Sequence, residues 1–140
     1  MKLEVKKLVP EAKLPTRAHS DDAGLDLYVA EELVLQPGER HAAHTGITTA
    51  IPTGCVGLIW DKSGLAARTG IKTMGGVIDA AYRGEILVIV ANLSNTPCTI
   101  EKGAKIAQFL IQKVELPEVC EVSELDDTIR GEGGFGSTGL

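Results

Sequence analysis

Aromatic side chains are nearly missing from the 140-residue chain, which has one tryptophan, two tyrosines and two phenylalanines. A core must therefore be built from Val, Ile, Leu and Ala. The 44% hydrophobic content supplies that core and excludes wholesale disorder. Long apolar runs are missing too: "ILVIVA" (86–91) is far too short to span a bilayer, so no membrane partner is expected. The N-terminal "MKLEVKKLVP" has none of the continuous apolar stretch of a signal peptide. Nor is there an excess of positive charge. A net charge of −5 and a pI near 5.2 exclude general binding to nucleic-acid backbone, which needs a basic face. A small polyanion is still admissible, because a few local cations or a metal can neutralise it. Cysteine is sparse, with Cys55, Cys98 and Cys120 far apart and no CxxC pair. That pattern gives neither a disulfide framework nor a zinc site and suits a reducing, cytoplasmic setting.

Reversal signals are abundant. The chain has 16 glycines and 6 prolines, and turn-forming stretches recur at "QPGE" (36–39), "IPTG" (51–54), "RTG" (68–70), "YRGE" (82–85), "SNTP" (94–97) and "EKGA" (101–104). Between them lie β-prone runs: "LEV", "GLDLYV", "LVL", "GITTAI", "VGLIW", "ILVIVANL" and "AQFLIQKV". This rhythm predicts an all-β sandwich, barrel or jelly roll. One helical turn is expected at "SGLAAR" (63–68), with Ser63 as its N-cap. His41 and His44 would share a face if "ERHAAHTG" were helical, but without a neighbouring ligand they read as surface histidines. We expect a β-rich body over residues 1–119. The acidic stretch from residue 120 then leads into the glycine-rich "RGEGGFGSTGL" (130–140) as a flexible arm.

The P-loop GxxxxGK[ST], the zinc signature HExxH and the GxSxG elbow are all missing. Four other stretches are more polar or richer in glycine than a β core requires. In "DAGLDL" (22–27), Asp26 points away from the face shared by Leu25 and Leu27. It is either a surface aspartate or a carboxylate facing a hydrated Mg²⁺. "WDKSGLA" (60–66) brings a cation, a hydroxyl and free backbone N–H groups together at a helix start, as a plain cap or as a phosphate seat. "GGVIDAAYRGEI" (75–86) reads as a hairpin with Asp79 and Tyr82 near its tip. Its backbone can line the polar edge of a small ring, with Tyr82 against a sugar and Asp79 beside it. In "KGAKIAQFLI" (102–111), the run leaves the facing of Gln108 ambiguous, as a structural glutamine or as a polar site residue.

Taken in order, "AGLDL", "KSGLA", "GVIDAAYRGEI", "GAKIAQ" and "RGEGGFGSTG" closely resemble the five motifs of the trimeric dUTPase family, from about residue 22 to residue 139. The resemblance implies an all-β, jelly-roll-like subunit with one short helix, a homotrimer with active sites shared among subunits, and Mg²⁺-dependent cleavage of dUTP to dUMP and pyrophosphate. Carried onto this chain, it makes Asp79 the general base for the water that attacks the α-phosphorus. It places Tyr82 against the deoxyribose, with no room for a 2′-OH, and the backbone of Gly76, Val77 and Ile78 on the uracil edge. Lys62, Ser63, Gly64 and Gln108 would meet the phosphates, and Asp26 the metal's water shell. The tail would contribute Arg130, Phe135, Gly136, Ser137 and Thr138. Two departures stand out: Lys62 replaces the usual arginine and so loses its bidentate fork, and Ala80 and Ala81 stand where a polar or acidic residue is usual. Two alternatives stay open: a dCTP deaminase, alone or bifunctional with dUTPase, and a dUTPase-like nucleotide-binding regulator of weak catalysis.

Overall fold

The computed structural model describes residues 1–134; the expectations for Phe135, Gly136, Ser137 and Thr138 lie outside the described residues. Eleven strands and one helix follow in order among these residues: β1 (Glu4–Lys7), β2 (Leu25–Tyr28), β3 (Leu33–Leu35), β4 (Arg40–His44), β5 (Ile47–Ala50), β6 (Cys55–Trp60), α1 (Ser63–Thr69), β7 (Ile71–Met74), β8 (Val77–Ile78), β9 (Leu87–Asn92), β10 (Cys98–Ile100) and β11 (Lys105–Lys113). Every strand pairing is antiparallel. The largest sheet runs β2-β11-β6-β8 and faces a three-stranded β4-β9-β7 sheet across a shared core, while β1-β5 and β10-β3 form two-stranded pairs. The fold is mostly β with one short helix.

The scarcity of aromatics shapes this core. Leu27, Leu35, Ile47, Ile86, Val88, Val90 and Ile106 are buried around one ring, Phe109, which is fully buried. A Cβ on Gly57 in the neighbouring strand would lie 2.6 Å from that ring and 2.7 Å from Ile51. Glycine thus makes the space the phenyl group fills, and overpacking there costs about 1–3 kcal/mol.

All seven β-prone runs become strands, and β4, β7, β8 and β10 add four more. The "RHAAH" segment is strand β4, not helix. His41 Nε2 meets Glu31 at 3.2 Å and His44 Nδ1 meets Glu85 at 2.9 Å, so both are surface histidines with local partners. Helix α1 forms as expected, but Lys62 occupies its N-cap and no side chain caps it. Ser63 is the first helical residue instead, so its hydroxyl is not spent on capping.

The stretch over 75–86 is not a hairpin. β8 pairs with β6, whereas β9 pairs with β4 and β7 in another sheet. Gly75 and Gly76, at φ 67° and 96°, carry the chain from β7 in one sheet to β8 in the other. A Cβ on Gly76 would sit 2.8 Å from the Ile59 carbonyl oxygen, so the crossing needs glycine for space as well as for backbone angle.

Candidate active site

Sheet order alone brings three of the sequence-predicted stretches together. Gln108 on β11 stands opposite Asp26 on β2 and opposite Trp60 on β6. Because paired residues share a face, these three form one row on the outer face. Leu25, Phe109 and Ile59 form the matching row turned inward. The chain leaves β6 at Trp60 and passes through Lys62 into α1, so Ser63 and Gly64 arrive at the end of that outer row. The result is a cleft of about 580 Å³ whose lining includes Asp26, Lys62, Ser63, Gly64, Lys105 and Gln108.

Asp26 is not a surface aspartate; it is 7% exposed. Lys62 donates to its Oδ1 at 2.5 Å and Lys105 to its Oδ2 at 2.6 Å. Burial pushes the Asp26 carboxyl up, and the two ammonium groups more than reverse this, holding it below the ordinary carboxylate range. The same pairing raises the Lys105 ammonium. Gln108 Nε2 donates to the Asp61 carbonyl at 3.1 Å, which aims its amide along the cleft. Gly24 lies beneath it, where a Cβ would approach Gln108 Oε1 to 3.0 Å. Arg68 also lines the cleft, and a Cβ on Gly64 would come within 3.1 Å of its guanidinium. Three cations therefore gather in one hollow of an acidic protein. That is how a chain of net charge −5 can receive a polyanion locally.

Sequence reasoning missed Lys105 and Arg68. Lys105 lies within "GAKIAQ", yet a regular alternation would turn it toward the core, so nothing in the local pattern marks it as a cleft residue.

The other predicted residues lie elsewhere on the chain. Val77, Ile78, Asp79 and Tyr82 line a second hollow of about 300 Å³ together with Glu85 and Leu87. The loop that carries them is firmly docked. Glu85 accepts from the Gly46 N–H at 2.7 Å, Thr45 Oγ1 donates to the Ile86 carbonyl at 2.6 Å, and Thr48 Oγ1 donates to the Arg83 carbonyl at 2.8 Å. Ala80 packs half-buried against the core, a position that suits its small apolar side chain. Tyr82 folds back so that its hydroxyl donates to the Glu85 carbonyl at 3.1 Å. A Cβ on Gly84 would lie only 2.5 Å from the ring's Cζ. β8 is an edge of its sheet, so part of its backbone is open to a ligand, although the Gly76 carbonyl is taken by the Ile59 N–H at 2.8 Å.

One chain does not join the two hollows. Ile78 pairs with Gly57 and Val77 with Leu58, so the antiparallel β8 carries Asp79 past the Gly57 end of β6. Ser63 lies past the opposite, Trp60 end. The β6 segment from Gly57 to Trp60 alone spans roughly 10 Å at about 3.3 Å per residue. Arg130 lines neither hollow and is exposed, its Nε donating to the Gly133 carbonyl at 2.8 Å.

The donor set bears on a metal as follows. Among the described residues no group of three or more His, Cys, Asp or Glu gathers into a cage, and both Asp26 oxygens are held by ammonium groups. Mg²⁺ favours oxygen donors, keeps several waters and is often carried by substrate phosphates. The residues thus fit a metal brought by a phosphate chain and met by Asp26 through water, and do not fit direct caging.

Comparison with known proteins agrees with this chemistry. The family model described as dUTPase matches residues 10–139. Deoxyuridine 5'-triphosphate nucleotidohydrolase of Mycolicibacterium gilvum is 52% identical, covering 98% of this chain and 94% of the relative. The protein of the same name from Corynebacterium glutamicum is 50% identical over the same shares. Among solved structures, the dUTPase of Staphylococcus bacteriophage 80alpha with dUPNHPP superposes with a TM-score of 0.93 at 33% identity, covering 99% of both chains. A variant of the dUTPase from phage phi11 of S. aureus, solved for the coordination of a structural Mg(II) ion, superposes at 0.85 with 29% identity, covering 91% of this chain and 100% of that one.

Proposed function

The chain belongs to the dUTPase family, and on that premise we propose that it hydrolyses dUTP to dUMP and pyrophosphate in a site shared by three copies of itself. One observation carries the shared site: Asp79 and the Ser63 cleft leave opposite ends of the same strand pair. A base on one copy and a phosphate seat on another resolve that separation. Exposed Trp60 and Val77 on the outer face of the four-stranded sheet, and Met74 and Ile89 on that of the three-stranded sheet, support burial of apolar surface against further copies in a jelly-roll-like homotrimer.

In this reading the cleft holds the triphosphate. Lys62, Ser63, Gly64 and Gln108 contact the phosphates, and Asp26 meets the waters of the accompanying Mg²⁺. A bound Mg²⁺ would supply charge neutralisation of the phosphates there. From a second copy, the β8 edge reads the uracil, Tyr82 packs on the deoxyribose, and Asp79 takes the proton from the water that attacks the α-phosphorus. A third copy's arm, residues 120–140, supplies Arg130 and the Phe135–Thr138 segment. An aspartate is a modest base, and positioned base catalysis is worth about 10²–10⁴-fold. The larger share falls to charge neutralisation and in-line alignment of the phosphates. We place the activity in the cytoplasm, where the free Cys55, Cys98 and Cys120 are at home.

Pyrophosphate release measured with dUTP, dCTP, dTTP and UTP side by side, with and without Mg²⁺, tests the reading. Selective, Mg²⁺-dependent cleavage of dUTP is the expected result. Ammonia release from dCTP would identify a deaminase, and tight binding of a non-hydrolysable dUTP analogue without turnover of dUTP would identify a regulator.

Gly84 provides a finer test of sugar selection. Because a Cβ there collides with the Tyr82 ring, Gly84→Ala displaces the ring without touching its chemistry. We expect the preference for dUTP over UTP, as a ratio of kcat/KM values, to fall roughly tenfold or more. An unchanged ratio would remove the ring from that role.

A further inference from the structure

We propose that Lys105 is a second cationic ligand for the phosphate chain, held ready on Asp26 together with Lys62 until substrate displaces both; this rests on the dUTPase reading above. The geometry behind this is a defect in β11. Gln108 pairs with Asp26 and Ala107 with Leu27, but the next partner, opposite Tyr28, is Lys105 and not Ile106. One residue has been inserted into the strand as a bulge. In an unbroken register Ile106 would stand opposite Tyr28 on the outer face and Lys105 would point into the core. The bulge exchanges them: Ile106 is 1% exposed, while the Lys105 side chain reaches the same cleft as Gln108, three residues away. Bulges are recurrent devices for re-aiming a side chain beside a site.

The ammonium groups are already arranged to receive oxygens. Lys62 and Lys105 each grip a separate oxygen of one carboxylate, much as they would grip two oxygens of a phosphate. Lys105 comes from a different strand than Lys62, and its side chain is 42% exposed, which leaves it free to swing. Where the family's arginine offers two donors in one planar fork, this chain offers two point charges from two elements. Asp26 acts as their placeholder: it keeps the cations apart from solvent ions while the cleft is empty. Once the phosphate chain arrives, both lysines move onto it and the carboxylate becomes available to the waters of the metal.

The test is Lys105→Met, with Lys105→Gln beside it to preserve a hydrogen bond to Asp26 without the charge. Asp26 keeps Lys62 in both, and thermal melting of the full chain checks folding. Affinities for dUMP, dUDP and a non-hydrolysable dUTP analogue are measured at two salt concentrations. The expected result is about 10–100-fold weaker binding of the triphosphate analogue, a smaller loss for dUMP, a flatter salt dependence, and recovery of most of the affinity in Lys105→Arg. Equal losses for all three nucleotides, or no loss, overturn the proposal, because a merely structural lysine does not distinguish phosphate number. If the unsubstituted protein itself neither binds the analogue nor cleaves dUTP, the dUTPase reading fails first and separately.

Discussion

Asp79→Asn should reduce kcat for dUTP by about 10²–10⁴-fold while binding of a non-hydrolysable analogue stays within a few-fold. Asparagine keeps the shape and much of the hydrogen bonding of aspartate but cannot accept the proton of the attacking water. The site geometry makes the experiment clean. Asp79 is exposed, and among the described residues its carboxylate takes part in no ion pair. The loop is held instead by its backbone and by Glu85: the Tyr82 N–H donates to the Asp79 carbonyl at 3.1 Å, a bond the substitution leaves intact. Stability should therefore change by less than about 0.5 kcal/mol, so lost turnover cannot be ascribed to unfolding. Single-turnover pyrophosphate release with enzyme in excess separates chemistry from binding. Near-normal release would remove Asp79 from the role of base and return the catalytic load to phosphate alignment.

The sequence displayed the parts of this site better than their assembly. β-prone runs such as "VGLIW" and "ILVIVANL", set between turn signals, marked the strands that build the sheets, because strand preference and turn chemistry are local. β4 was hidden because "RHAAH" has no β-branched residue, and it is a strand only through pairing with β9, which is a non-local cause. The same holds for the approach to β8: Gly75 and Gly76, within a stretch read as a hairpin, make a crossing between two sheets, and no window of residues 75–86 contains the partner strands that decide it. Asp26 looked like half of an ordinary polar–apolar alternation. Its burial comes from two lysines distant in the chain. Lys105 was invisible for a sharper reason, since the bulge breaks the very periodicity used to assign faces. What the chain could state on its own was chemistry in order, and the resemblance supplied the geometry that a single subunit does not contain.

Removal of residues 130–140 should leave the folded body and its assembly intact and lower kcat/KM for dUTP by about 10²–10⁴-fold. The magnitude follows from two losses: the Arg130 charge on phosphate, worth about 1.5–3 kcal/mol as a charge-assisted hydrogen bond, and the Phe135 ring on uracil, worth about 1–3 kcal/mol by stacking. The fold is indifferent because β11 ends at Lys113 and residues 114–130 are exposed outside any helix or strand. Leu116, Val119, Val122, Leu125 and Ile129 are exposed along that stretch and remain in the truncated chain to pack on a neighbouring copy. Size-exclusion chromatography with light scattering checks assembly, and melting checks the body. The decisive experiment mixes the truncated chain with full-length Asp79→Asn, unfolding and refolding the two together at equal amounts. Each protein alone is nearly inactive, one without the tail and the other without the base. If base and tail come from different copies, random mixing creates complete sites at about a quarter of positions, and activity returns to that order. If a single copy supplied both, no mixture could rebuild a site, and activity would stay at the level of the two parents. Recovery on mixing thus assigns the base and the tail to different copies, as the opposed ends of β6 already divide the base from the phosphate seat.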